Sequence, residues 1–365
     1  MNVTTRRTLS AAGCGLTGLL LAGQLLAGLL LEDGTTGAAS LAGAPRIDAS
    51  DAWTSGADTP IATKAVDEKA PYAADRPLPE PVVFAPGVIS TGDDDAHPTF
   101  TDDGRTVYFA KTTASMSYYT LVMSTFSNGR WSRPVAAPFS GQYADTDVFF
   151  TKDGSRLYFV SRRPVNGGKA KADPDIWVMK KAGSNWGEPE HVAELNTDGD
   201  EWFPTLTDSG TIYFGSDRPG GKGGSDIWRA RVVNGRFTTP ENLGDAINSP
   251  GNEVEAYIAP DESYMIFAAS GRPGGHGSYD LYVSSNEQGR WTSPRNLGTP
   301  INSSGWEFGM KVSPDGRYVF YTSSRDAWDR PLGTRLTYDQ LEARLRAPGN
   351  GRFDIYQVDL SAIKR

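Results

Sequence analysis

The sequence predicts an all-β fold, a five-bladed β-propeller of four-stranded blades whose N-terminal strand completes the last blade. Three observations carry this. A turn of the type Thr-Asp-Asp-Gly recurs at Gly104, Gly154, Gly210, Glu262 and Gly316, in steps of 50 to 56 residues. A Trp-x-x-Pro marker places Pro134, Pro189, Pro240 and Pro294 after Trp131, Trp186, Phe237 and Trp291. Between the markers run short stretches rich in aromatic and β-branched residues, punctuated by Gly and Pro. A repeat of that length and content reads as propeller blades.

In chain order, residues 1–44 read as an export signal or membrane anchor. Arg6-Arg7 precede the apolar run Gly15–Leu31, which Glu32-Asp33 close, and Ala42-Gly43-Ala44 offers a cleavage site. A retained single span is the alternative, although the run is at the short limit for one. Either route leaves the folded part periplasmic or extracellular. Cys14, the only cysteine, precedes the apolar run, so the mature chain has no disulfide and no thiolate chemistry. Residues 45–77, rich in Ala, Asp and Pro, read as a flexible linker. The propeller is assigned to 78–365, with an insertion at 326–353 in its last blade.

Each blade repeats the same internal order. The second strand carries Phe109, Phe159, Phe214, Phe267 or Tyr321, and the third opens with Asp175, Asp226, Asp280 or Asp354 ahead of an aromatic. The fifth unit lacks its own Trp-x-x-Pro strand. Upstream, Leu78 fills the Trp slot and Pro81 the Pro slot, so this segment is expected to close the ring and hide its strand edges.

A net charge of −8 and a pI near 5.1 argue against a nucleic-acid partner. His97, His191 and His276 lie in different blades, and no Gly-x-Ser-x-Gly or His-x-x-x-His spacing appears. No cofactor is expected.

Ser313-Pro314-Asp315-Gly316 with Tyr321 and Arg325, and Ser216-Asp217-Arg218-Pro219-Gly220-Gly221 leading to Asp226-Ile227-Trp228, resemble the TolB-type (WD40-like) β-propeller repeats. The resemblance covers residues 78–360. It implies an exported or envelope propeller that binds other macromolecules, and it supplies no catalytic residues.

Four groups of residues are candidates for chemistry. The first is an acidic column, Asp95, Asp145, Glu201, Glu253 and Glu307, one per blade at the start of the innermost strand. It either takes Ca²⁺, a cation or a sugar, or accepts hydrogen bonds from a neighbouring blade's backbone. Two residues on stand His97, Asp147, Phe203, Glu255 and Gly309, a less regular column in which His97, Asp147 and Glu255 are the better ligand contacts. The second group is Arg163, Arg218, Arg272 and Arg325, expected to pair with Asp175, Asp226, Asp280 and Asp354, because both are lost in the first blade at Thr113 and Tyr119. The third is the loop tips Lys169, Lys222 and His276, on Gly-rich loops that lack the helix a phosphate site needs. The fourth is Trp202 and Trp306 on the face where blade-to-blade loops and second-to-third-strand loops emerge; rings suit sugars, and equally suit packing. Leu336–Leu345 has helical spacing, so a short helix is expected to cap this face.

The function read from these features is an exported, non-enzymatic propeller binding a polysaccharide, peptidoglycan or envelope protein on its loop-rich face, as a monomer and without membrane contact beyond the N-terminal segment. The binding contacts would be His97, Asp147, Trp202, Glu255, His276 and Trp306. Two alternatives stand beside it. One is a glycoside hydrolase or polysaccharide lyase using Asp95, Asp147 and Glu201. The other is an envelope assembly scaffold.

Overall fold

The computed structural model describes residues 70–328 and 332–363. The export segment and residues 45–69 of the expected linker lie outside them. Among the described residues no helix is long and apolar enough to cross a membrane.

The inner strands are Asp94–Phe100, Asp145–Phe150, Glu201–Leu206, Asn252–Ile258 and Glu307–Val312. Each touches the inner strand of the next blade, and the fifth returns to the first, so the ring closes. Every inner strand pairs antiparallel with a second strand, which pairs with a third. The outer strand is cut in two where proline removes a ladder donor: in the first blade, Arg130–Trp131 and Val135–Ala136 flank Pro134 and pair with the same third strand. Five four-stranded blades result, as the sequence predicts.

Closure of the fifth blade follows the expected route. Val82–Val83 pairs with the C-terminal strand Asp359 leads out of, in register Val82 to Gln357 and Val83 to Tyr356. Leu78 N–H donates to Asp359 Oδ2, and Asp359 N–H donates back to the Leu78 carbonyl. The ordered domain starts earlier than residue 78, however. Tyr72 is buried against Phe100, Tyr318 and Phe320, and Gln357 Nε2 donates to its carbonyl. Residues 70–77, placed in the linker on composition, dock because one aromatic finds an apolar seat.

Packing is aromatic throughout. Phe109, Phe159, Phe214, Phe267 and Tyr321 on the second strands are all fully buried. The insertion carries an α-helix, Tyr338–Leu345, with Thr337 and Gln340 forming a reciprocal cap. No helix residue is fully buried, so the helix stands proud of the loop-rich face. Asn350 ties the insertion to the first blade by donating to the Gly92 carbonyl.

Candidate functional site

One backbone feature organises the channel. In every blade the register slips midway along the inner strand, for example between Ala96 and Thr99 and between Val254 and Tyr257. The extra residue of each bulge is His97, Asp147, Phe203, Glu255 or Gly309, with φ of 54°, 57°, 52°, 54° and 62°. Left-handed backbone is unfavourable for the four that carry a Cβ, so the surrounding structure must hold them.

What holds them is a set of ties from blade to blade. Asp147 Oδ2 accepts from the Phe203 N–H at 3.0 Å, Glu255 Oε2 from the Gly309 N–H at 2.6 Å, and Thr322 Oγ1 from the His97 N–H at 3.0 Å. The remaining carboxylate oxygens meet across His97. Its Nε2 is 3.1 Å from Glu255 Oε1, and its Nδ1 is 3.0 Å from Thr146 Oγ1, which donates to Asp147 Oδ1. Burial works against a charged ring here. Asp147 and then Glu255 outweigh it and raise the His97 pKa, while Asp147 is itself raised, chiefly by burial. Gly309 is required for space as well as φ: a Cβ there would come within 2.7 Å of His97 Cδ2.

Below this ring, Lys311 is 5% exposed, with Nζ 3.7 Å from the centre of the Phe203 ring and 5.2 Å from that of Phe149. Its ammonium has no hydrogen-bond partner among the described residues. Burial pushes its pKa down to about 7 against the pull of Asp147 and Glu255. Sequence comparison passes over Lys311, because the column it belongs to (Thr99, Phe149, Thr205, Tyr257) has no common chemistry.

The acidic column is engaged by other partners than a neighbouring blade's backbone, with Asp145 Oδ2 left buried without a hydrogen bond among the described residues. Asp145, Glu201, Glu253 and Glu307 lie 3.0, 3.0, 2.8 and 3.8 Å from Arg163, Arg218, Arg272 and Arg325 of their own blades. Loop hydroxyls and amides four residues upstream add to this, as Thr197 does for Glu201 and Ser249 for Glu253. The arginines therefore do not pair with the third-strand aspartates. Those close the Gly-rich loops instead: Asp226 accepts from the Gly223 N–H, Asp280 from the His276 N–H and Asp354 from the Gly349 N–H.

The joint loss in the first blade has a different cause from the expected one. Each arginine lies over at least two rings, such as Arg218 over Phe214 and Trp228 at 4.8 and 5.3 Å. Strand register sets Thr120, not Tyr119, at the aspartate position of the first blade and Val122 at the aromatic one. Without the second ring the arginine has lost half its seat, and Lys111 reaches Asp95 from the strand at 2.8 Å.

The expected contacts thus separate. His97, Asp147 and Glu255 come together in the channel; Asp95 and Glu201 are fully buried in ion pairs. Trp202 and Trp306 are half-buried, Trp202 against two core clusters and Trp306 against Tyr279 and Phe353. His276 is exposed at its loop tip. Among the described residues no group of three or more His, Cys, Asp or Glu is arranged to hold a metal.

No family model and no curated protein matches the chain. Solved structures do. TolB from Acinetobacter baumannii matches at 17% identity over 73% of this chain and 54% of that one, with a TM-score of 0.39. A putative TolB from Agrobacterium tumefaciens matches at 16% identity over 73% and 91%, TM-score 0.43. An alpha-L-arabinofuranosidase from Lactobacillus brevis matches at 14% identity over 75% and 92%, TM-score 0.43. The chain spans about half the length of the Acinetobacter protein. TolB proteins are thus among the structural neighbours, and the five-bladed propeller is consistent with the TolB-type repeat fold. Likeness at this level carries no argument about activity or ligand.

Proposed function

We propose that the chain is an exported, non-enzymatic recognition propeller that binds a carbohydrate, cell-wall or protein partner on its loop-rich face. One observation carries the reading: the inner-strand carboxylates a hydrolase would use are already engaged by the fold. Glycoside hydrolysis needs one carboxyl to protonate the leaving oxygen and another to face the sugar. Asp95 and Glu201 are instead buried beside Lys111 and Arg218. Asp147 spends one oxygen on a backbone N–H and the other on Thr146 and His97.

The loop-rich face offers what a recognition surface needs. Tyr118, Tyr338 and Leu345 are 40%, 74% and 53% exposed, with Trp306 half-buried. Aromatic rings with a polar edge suit sugars and protein partners alike. Export rests on the Arg6-Arg7 pair and the apolar run that follows it.

The test is binding of the full chain to glycan and peptidoglycan arrays, with recovery of envelope proteins in parallel. Tyr338→Ala and Trp306→Ala are expected to weaken whichever partner is retained. Release of product from a polysaccharide panel, abolished by Asp147→Asn, would overturn the reading in favour of the hydrolase.

A further inference from the structure

The opposite face of the propeller, where inner strands turn into second strands, holds a cavity of about 670 Å³. Turn residues of all five blades surround its mouth, and Thr99, Phe149, Phe150, Tyr257, Ser313 and Lys311 are among its walls. It opens on the face away from Trp202, Trp306, His276 and Tyr338, and its inner end reaches Lys311, beneath His97, Asp147 and Glu255.

Lys311 is the anomaly at its inner end. A buried ammonium normally has a carboxylate or several acceptors around it, because leaving it unpaired costs several kcal/mol, of order the cost of stripping its water. The charged groups facing it are Asp147 of the second blade, Glu255 of the fourth and His97 of the first. The oxygens of both carboxylates are already taken, by backbone N–H groups on one side and by Thr146 and His97 on the other. The ammonium therefore rests on the Phe203 ring, and Lys311 lines the cavity at that point. Its four-carbon stem lets Nζ swing toward the opening without disturbing the ring of bulges.

We propose that this cavity binds a small molecule carrying a single carboxylate, with Lys311 as its counter-charge and the aromatic wall under its ring or apolar face. The rim decides between anions. Asp102, Asp153 and Asp208 stand at the mouth against Arg156 and Lys152, the latter held by Asp208 at 2.7 Å, so the rim keeps a negative excess that disfavours a dianion more than a monoanion. Phe149, Phe150 and Tyr257 give the rest of the molecule an apolar seat. The site is separate from the loop-rich face and stands or falls independently of it.

Calorimetric titration of the full chain with sodium galacturonate, sodium benzoate, inorganic phosphate and neutral galactose tests this. At pH 6.5 a carboxylate binds, and Lys311→Met weakens it more than tenfold, the usual cost of losing one charge-assisted hydrogen bond. Tyr338→Ala leaves it unchanged. The wild-type protein supplies a second readout, free of any folding defect in the variant. Its carboxylate affinity falls toward tenfold per pH unit above about 7, as the Lys311 ammonium is lost. Binding of phosphate but of neither carboxylate, binding of neither, equal affinity in Lys311→Met, or a flat affinity between pH 7 and 9 would each overturn the proposal.

Discussion

Replacing Lys311 by Met should change how the stability of this propeller depends on pH. In the folded protein the Lys311 pKa is pushed from 10.5 down to about 7 by burial. Between those values the unfolded chain binds a proton that the folded chain does not, so wild-type stability rises with pH across that window. The slope is about 1.4 kcal/mol per pH unit, or roughly 4 kcal/mol between pH 7 and pH 10. Met binds no proton, and this contribution disappears. His97 works in the other sense: its folded pKa is raised, so its contribution is complete below the unfolded value and is lost as pH rises through the folded one. Lys311 lowers the His97 pKa in the wild type, so removing it raises that pKa further, and the Lys311 contribution is read from the slope at pH 8 to 10. The variant also loses the contact of Nζ with the Phe203 ring, which above pH 7 is an amine–ring contact and shifts the curves without changing their relative slope. Urea titrations at pH 7, 8, 9 and 10, followed by tryptophan fluorescence, should therefore show the variant's stability relative to wild type falling by about 4 kcal/mol across the series. A difference that does not move with pH would mean that Lys311 keeps its ordinary pKa, and the reasoning about a buried, unpaired ammonium would be wrong.

Three further outcomes follow from the same geometry. Gly309→Ala places a Cβ against His97 and Thr322 at φ 62°, so strain and overpacking together should lower stability by about 3 kcal/mol, read as a shift in urea midpoint. Arg218→Met leaves Glu201 buried without its cation and should cost about 3 kcal/mol. A double-mutant cycle should couple Arg218 to Glu201 by more than about 1 kcal/mol and leave Asp226→Asn additive with Arg218→Met. Tyr72→Ala should destabilise the domain by about 3 kcal/mol, because the ring fills a core seat rather than a linker.

Much of the fold was legible because its cause is periodic. Turn glycines, strand-end aromatics and the Trp-x-x-Pro strand recur with the blades, and the closure by Val82–Val83 followed from counting strands. Tyr72 was hidden because a single docking aromatic has no period. The channel was harder to read. A strict alternation of side chains gives the right column, His97 to Gly309, but says nothing of the bulge that gives those residues positive φ and ties three of the blades to the next through Phe203, Gly309 and His97 N–H groups. The two columns exchanged expected roles for that reason. The regular one, Asp145 to Glu307, meets arginines of its own blades, and the irregular one takes the backbone of its neighbours. The arginine partners were misjudged because a shared loss marks a shared environment; the common element was the aromatic pair under the guanidinium, absent where Val122 replaces a ring. Lys311 gave no signal, since its significance lies in what surrounds it.

The most direct test of recognition without catalysis applies the full chain to a broad panel of polysaccharides and peptidoglycan, with retention and product release measured together. Recognition without catalysis means retention of at least one of these polymers, or of an envelope protein from the same fractions, weakened by Tyr338→Ala, with no product released. Release of product that Asp147→Asn abolishes would contradict it.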